Sequence, residues 1–163
     1  MNLKRKEASA RLAFCILISL IVLIFDQASK MAVIAFLPAS DAIKICPFFN
    51  LTLVLNRGTS FGLLEPSTMT EFYMIVGLTV CCITFLTYCF IKFRTFAEKM
   101  LLGVIIGGAV GNLVDRIIHG AVIDFIDLYC GAWHWPAFNL ADTAISCGAV
   151  LLLLVTLFSK RGE

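Results

Sequence analysis

From Phe72 to Ile91 the chain runs 20 residues without a charged side chain. At about 1.5 Å per residue, a helix of that length covers the ~30 Å hydrocarbon core of a bilayer. The rest of the sequence agrees: 60% of its 163 residues are hydrophobic, 15% are charged, and the mean hydropathy is +0.95. That balance excludes a disordered regulator, a nucleic-acid reader built on a basic surface, and a small disulfide scaffold. Each of those needs charge, low apolar content or dense cysteines.

Three further apolar runs are shorter, Leu12 to Phe25, Met100 to Val114 and Thr143 to Ser159, and each abuts an aspartate: Asp26, Asp115 and Asp142. Each becomes a full span once its carboxylate is taken into the membrane. The first run follows Lys4, Arg5, Lys6 and Arg11 as a signal peptide would, yet no small-x-small cleavage site comes directly after it. It reads as a retained span, giving a single integral membrane domain over 1–163 with spans near 12–32, 70–91, 98–116 and 140–159. On that arrangement nine Lys and Arg lie on one side and four on the other, Lys30, Lys44, Arg57 and Arg116. The positive-inside bias makes both termini and the 92–99 loop cytoplasmic, and puts segments 38–68 and 117–138 outside.

Counted from the cytoplasmic ends, Asp26, Asp115 and Asp142 sit at ~21, ~22 and ~25 Å, all near the outer third of the core. A carboxylate at that depth is expensive, so it should face the bundle interior and find partners. On the third helix Gly108, Asn112, Asp115, Arg116 and His119 project at about −40°, 0°, −60°, +40° and −20°, one polar stripe in which Asp115 and Arg116 suggest an ion pair. Asp26 and Lys30 are an i,i+4 pair in the favourable order and read first as structure. Asn139, Asp142, Thr143 and Ser146 share one face of the fourth helix. Gly103, Gly107 and Gly111, four apart, are a packing stripe that lets a neighbouring helix approach closely.

Five of the seven cysteines lie inside apolar runs and read as packing, leaving Cys46 and Cys130 in connecting segments with a disulfide between them open. Cys130 and His134 lack a second ligand pair and His119 lacks any, which argues against a metal. Phe48 to Leu55 is rich in strand formers and breaks at Asn56-Arg57-Gly58, so a small extracytoplasmic β element is expected. Trp133 and Trp135 read as interfacial anchors.

Asp26-Gln27-x-x-Lys30, Asn56-x-Gly58-x-Ser60-Phe61, Gly111-Asn112-x-x-Asp115-Arg116, Val122-x-Asp124-Phe125 and Phe138-Asn139-x-Ala141-Asp142 occur in the order and spacing of the bacterial lipoprotein signal peptidases. The chain resembles that family, the type II signal peptidases, from about Leu12 to Phe158. The resemblance implies four transmembrane helices with a small extracytoplasmic β-cradle and a short interfacial helix, in the bacterial inner membrane. It implies an aspartic endopeptidase that cleaves diacylglyceryl-modified prolipoproteins before the lipidated cysteine. By motif position the catalytic pair is Asp124 and Asp142. Asn56, Gly58, Asn112, Asp115, Arg116, Asn139, Asp26 and Lys30 are substrate-binding or supporting. No cofactor, metal or nucleic-acid partner is called for; the partners are prolipoprotein substrates and membrane lipids, and a monomer is expected. Thr59 departs from the commonest pattern, which has Ala there.

The chemistry fits those residue types. Hydrolysis without a metal or covalent nucleophile needs an activated water and an acid for the departing amine, and two carboxylates sharing one proton supply both. The competing readings are a small proton or ion transporter, since buried charges also suit an ion path, and a scaffold protein held by the glycine stripe. The clustering of the carboxylates at one depth counts against a transmembrane relay.

Overall fold

The computed structural model describes residues 3–37, 42–58, 66, 68–93 and 95–159. Four helices account for most of them: α1 (Leu3–Phe36), α2 (Met69–Lys92), α3 (Phe96–His119) and α4 (Leu140–Ser159). Each contains a stretch long and apolar enough to cross a membrane. α1 exceeds the expected 12–32 by continuing through its basic N-terminal end, where a charged turn outside the hydrocarbon costs the helix nothing. α2 and α3 open with capping boxes, Thr68 with Glu71 and Thr95 with Glu98, which satisfy backbone donors that a helix start leaves free. α3 closes on Gly120 in the left-handed region (φ 69°), its N–H donating to Arg116 O at 3.1 Å.

Four strands lie at the end of the bundle where α1 and α3 finish and α2 and α4 begin. They are β1 (Ile43–Cys46), β2 (Phe49–Asn56), β3 (Val122–Cys130) and β4 (Trp133–His134), in the order β1-β2-β3-β4 and antiparallel throughout. The expected β element at 48–55 is β2. Its partner β3 was not expected: Val122-Ile123-Asp124-Phe125-Ile126-Asp127 had read as interfacial sequence, whereas five of those six residues are buried and the strand is central. Near-continuous apolar runs hide a doubly covered strand from any alternation test. Among the described residues there is no separate short interfacial helix; Thr59, Ser60 and Phe61 lie outside them. All seven cysteines are unpaired, and Cys46 and Cys130 lie on strands separated by β2.

α3 is the most buried helix and touches the other three. It runs parallel to α1 and antiparallel to α4, and glycines set both separations. A Cβ on Gly103 or Gly107 would meet the backbone oxygens of Cys15 or Ser19 on α1 at 2.8 and 2.5 Å, and one on Gly111 would strike the Asp26 carboxylate. The expected packing stripe is therefore the α1–α3 contact. Gly108, placed in the polar stripe by sequence, serves the other side: its Cβ would lie 2.6 Å from Ala141 O on α4.

Candidate active site

Two polar layers stand one behind the other at the sheet end of the bundle. The rear layer lies between α1 and α3. Lys30 is 1% exposed, and its Nζ donates to Asp26 Oδ2 at 2.8 Å, Asp115 Oδ2 at 2.7 Å and Asn112 Oδ1 at 3.0 Å. Asp26 Oδ1 also accepts from the Ala141 N–H at 2.9 Å, tying α1 to the first turn of α4. Asp115 accepts from Gln27 Nε2 at 2.8 Å and from the Ile123 N–H at 3.2 Å, tying α3 to α1 and to β3. Every carboxylate oxygen in this layer has a donor, the condition under which buried charge is tolerated.

The suggested Asp115–Arg116 ion pair is not formed. Adjacent residues on a helix point about 100° apart. Asp115 faces Lys30, whereas Arg116 turns to the front, donating Nη2 to Gly58 O at 3.1 Å. Its buried Nε has no protein partner among the described residues. His119, placed on the same stripe by sequence, is exposed beyond the site.

The front layer holds Asp124 and Asp142. Asp124 is on β3, 2% exposed, and shares with Val122 the strand face that opens on a cavity. Its Oδ2 accepts from Asn56 Nδ2 at 2.9 Å, a diagonal cross-strand contact because Asn56 pairs with Val122. Its Oδ1 accepts from Asn139 Nδ2 at 2.7 Å. Asp142, in the first turn of α4, accepts from Asn112 Nδ2 at 2.8 Å and from the Asn139 N–H at 3.2 Å, while its own N–H donates to Asn139 Oδ1 at 2.9 Å. That reciprocal pair is a capping box, so one residue, Asn139, starts the helix and holds both carboxylates. The Asn139-x-x-Asp142 spacing carries this signal in the sequence, and it was missed there. Gln27 was missed likewise, although it stands inside the Asp26–Lys30 motif.

Burial pushes the Asp124 carboxyl up to about 6, against the hydrogen bond from Asn56 and with the help of the neighbouring Asp142 charge; the Asn139 bond and the more distant Lys30 pull the other way. Such a group can hold and release a proton near neutrality. The cavity it faces measures about 640 Å³. Asn56, Asn112, Arg116 and both aspartates line one end, Trp135 to Phe138 form a wall, and Ile75, Leu78, Cys82, Leu86 and Ile105 line the other end. Ile75 to Leu86 spans roughly 16 Å of α2 at 1.5 Å per residue, so the apolar part follows the membrane inward.

A second cluster lies on the sheet, apart from the cavity. His134 Nδ1 is 2.8 Å from Asp127 Oδ1, Asn50 Nδ2 donates to Asp127 Oδ2 at 2.8 Å, and the imidazole stacks on Tyr129 with ring centroids 5.1 Å apart. These bonds fasten β4 to β3 and β2. Trp133 and Trp135 pack edge-on beside it.

Four membrane-capable helices, a four-stranded sheet at one end and a carboxylate-lined cavity between them define a multi-pass membrane protein with an enzyme-like pocket. The family described as Signal peptidase (SPase) II matches residues 18–158. The chain is 43% identical over 160 residues to the lipoprotein signal peptidase of Burkholderia thailandensis, covering 96% of this chain and 95% of that one. It is 42% identical over the same length to the lipoprotein signal peptidase of Paraburkholderia phymatum. A solved bacterial membrane enzyme, 32% identical, superimposes with a TM-score of 0.76 over 91% of this chain and 90% of its own. The chain belongs to the signal peptidase II family and is a peptidase by membership.

Proposed function

We propose that this protein is an aspartic endopeptidase that removes the signal peptide from diacylglyceryl-modified prolipoproteins, cutting the bond before the lipidated cysteine, with Asp124 and Asp142 as the catalytic pair. The observation that carries the reading is that two carboxylates from different elements face one cavity and are held by the same residue, Asn139. Among the described residues no charged side chain lines the apolar end of that cavity, which disfavours the transporter reading.

In this mechanism the pair shares one proton. The ionised member takes a proton from water as its oxygen attacks the scissile carbonyl carbon; the protonated member donates to the carbonyl oxygen. Collapse of the tetrahedral intermediate breaks the C–N bond, and the leaving nitrogen takes a proton from the pair. The two carboxyls act as one coupled unit, so neither role is tied to one residue. Asn56 and Asn112 keep the carboxylates oriented, Gly58 fixes Arg116, and the free Nε of Arg116 is available to a substrate carbonyl. Asp26, Lys30 and Asp115 support from behind. The apolar cavity wall suits acyl chains and the apolar signal segment.

The same reading gives a single membrane domain acting as a monomer in the bacterial inner membrane, with both termini cytoplasmic and the cavity's polar end near the outer face. Its basis is the charge bias and the family. The test is a gel-shift cleavage assay on a diacylglyceryl-modified prolipoprotein in detergent. Unmutated protein should cut before the lipidated cysteine, and Asp124→Asn and Asp142→Asn should bind the substrate without cutting. Normal processing by either variant would overturn the assignment.

A further inference from the structure

Asn112 stands between a cation and an anion. Its Oδ1 accepts from Lys30 Nζ at 3.0 Å, and its Nδ2 donates to Asp142 Oδ1 at 2.8 Å. An ammonium has only donors and a carboxylate only acceptors, so an amide inserted between them has one permitted orientation. Turned over, it would set NH2 against NH3+ and oxygen against oxygen, leaving both buried partners unsatisfied. The other amide holding the pair is oriented differently: Asn139 Oδ1 is fixed by the Asp142 backbone N–H. No backbone donor reaches Asn112 Oδ1 among the described residues, where the only other donor is the Asn139 amide at 3.3 Å.

We propose that Lys30 is a positioning residue for the reaction: its buried ammonium fixes the polarity of the Asn112 amide, so that Asn112 always presents hydrogen to Asp142. All three ammonium hydrogens are committed, two to the carboxylates of Asp26 and Asp115 and the third to a neutral amide that simple charge pairing has no use for. With one cation facing two carboxylates, the charged groups of α1 and α3 that meet here are all accounted for, and the front pair is reached only through Asn112. This inference rests on the peptidase reading and assigns a role in that same site.

Removing Lys30 alone strands two carboxylates, so the test uses Lys30→Met/Asp26→Asn and Lys30→Met/Asp115→Asn, each of which deletes one cation with one anion. Cleavage kinetics and thermal unfolding are measured for both, alone and combined with Asn112→Ala, beside unmutated protein. A folded double variant should lose about 10²-fold in kcat, the scale of losing one preorganised donor, with KM changed less than threefold. In the Asn112→Ala background the same pair should lower kcat less than twofold further, because the route through Asn112 is already gone. Full kcat in a folded double variant, or a loss that adds on top of Asn112→Ala, overturns the proposal. Failure of both double variants to fold assigns Lys30 to structure alone and overturns it too. If unmutated protein leaves the lipidated substrate uncut, the peptidase reading itself fails, a result separate from any of these.

Discussion

Replacing Gly107 by alanine tests whether the α1–α3 separation holds the rear polar layer together. The added Cβ would sit 2.5 Å from Ser19 O and 3.0 Å from Val22 Cβ, the first of them roughly 0.9 Å short of ordinary contact. Backbone cannot rotate away as a side chain can, so α1 has to move off α3 by most of that amount. The Lys30–Asp115 bond of 2.7 Å, the Lys30–Asn112 bond of 3.0 Å and the Gln27–Asp115 bond of 2.8 Å all cross this contact and would stretch together. Overpacking of this kind costs about 1–3 kcal/mol, and strained buried hydrogen bonds add to it. Gly103, whose Cβ would fall only about 0.6 Å short against Cys15 O, should cost less. Gly77 on α2 has nothing within 4 Å, so Gly77→Ala should be neutral or slightly stabilising. Thermal unfolding in one detergent should therefore rank the variants Gly77→Ala, Gly103→Ala, Gly107→Ala from most to least stable, with cleavage lowest in the last. Equal stability of Gly107→Ala and Gly77→Ala would refute the reasoning.

Asn56→Ala removes the bond that favours ionised Asp124, so the carboxyl should rise above about 6 and stay protonated to higher pH. The alkaline limb of kcat/KM should move up by roughly one pH unit; a limb that stays put or moves down contradicts the assignment of that limb to Asp124. Thr95→Ala breaks the capping box with Glu98 and should destabilise by about 1 kcal/mol in thermal unfolding, with KM unchanged.

The spans were legible because length and lack of charge are local properties: Phe72 to Ile91 announces α2 by itself, and the apolar runs before Asp26 and Asp115 announce α1 and α3. Strand β2 was legible for the same reason. β3 was not, since Asp124 and Asp127 interrupt an apolar run and only pairing with Phe49–Asn56, about 70 residues earlier, makes a strand of it. A helical wheel located the polar stripe of α3 correctly, yet gave no basis for choosing among its neighbours. Asp115 and Arg116, adjacent in sequence, were paired on paper and turn to different layers in the fold. Gly108 shows the same limit: spacing identified small residues, while only the packed α4 decides which of them it touches.

The division into two layers has a chemical reason. An ammonium in direct contact with a carboxylate favours its ionised form, whereas a neutral amide donor orients a carboxyl in either protonation state. A pair that must pass one proton back and forth therefore needs amides beside it and cations further off. Asn56, Asn112 and Asn139 are the side chains that donate to Asp124 and Asp142 in the structure, and Lys30 is kept one residue behind, its charge absorbed by Asp26 and Asp115. Reversing the order would keep the site folded and remove its function. Asn112→Lys, which places a cation directly against Asp142, should leave a protein that still binds lipidated substrate and does not cut it, and turnover by that variant would show that the neutral inner layer is dispensable.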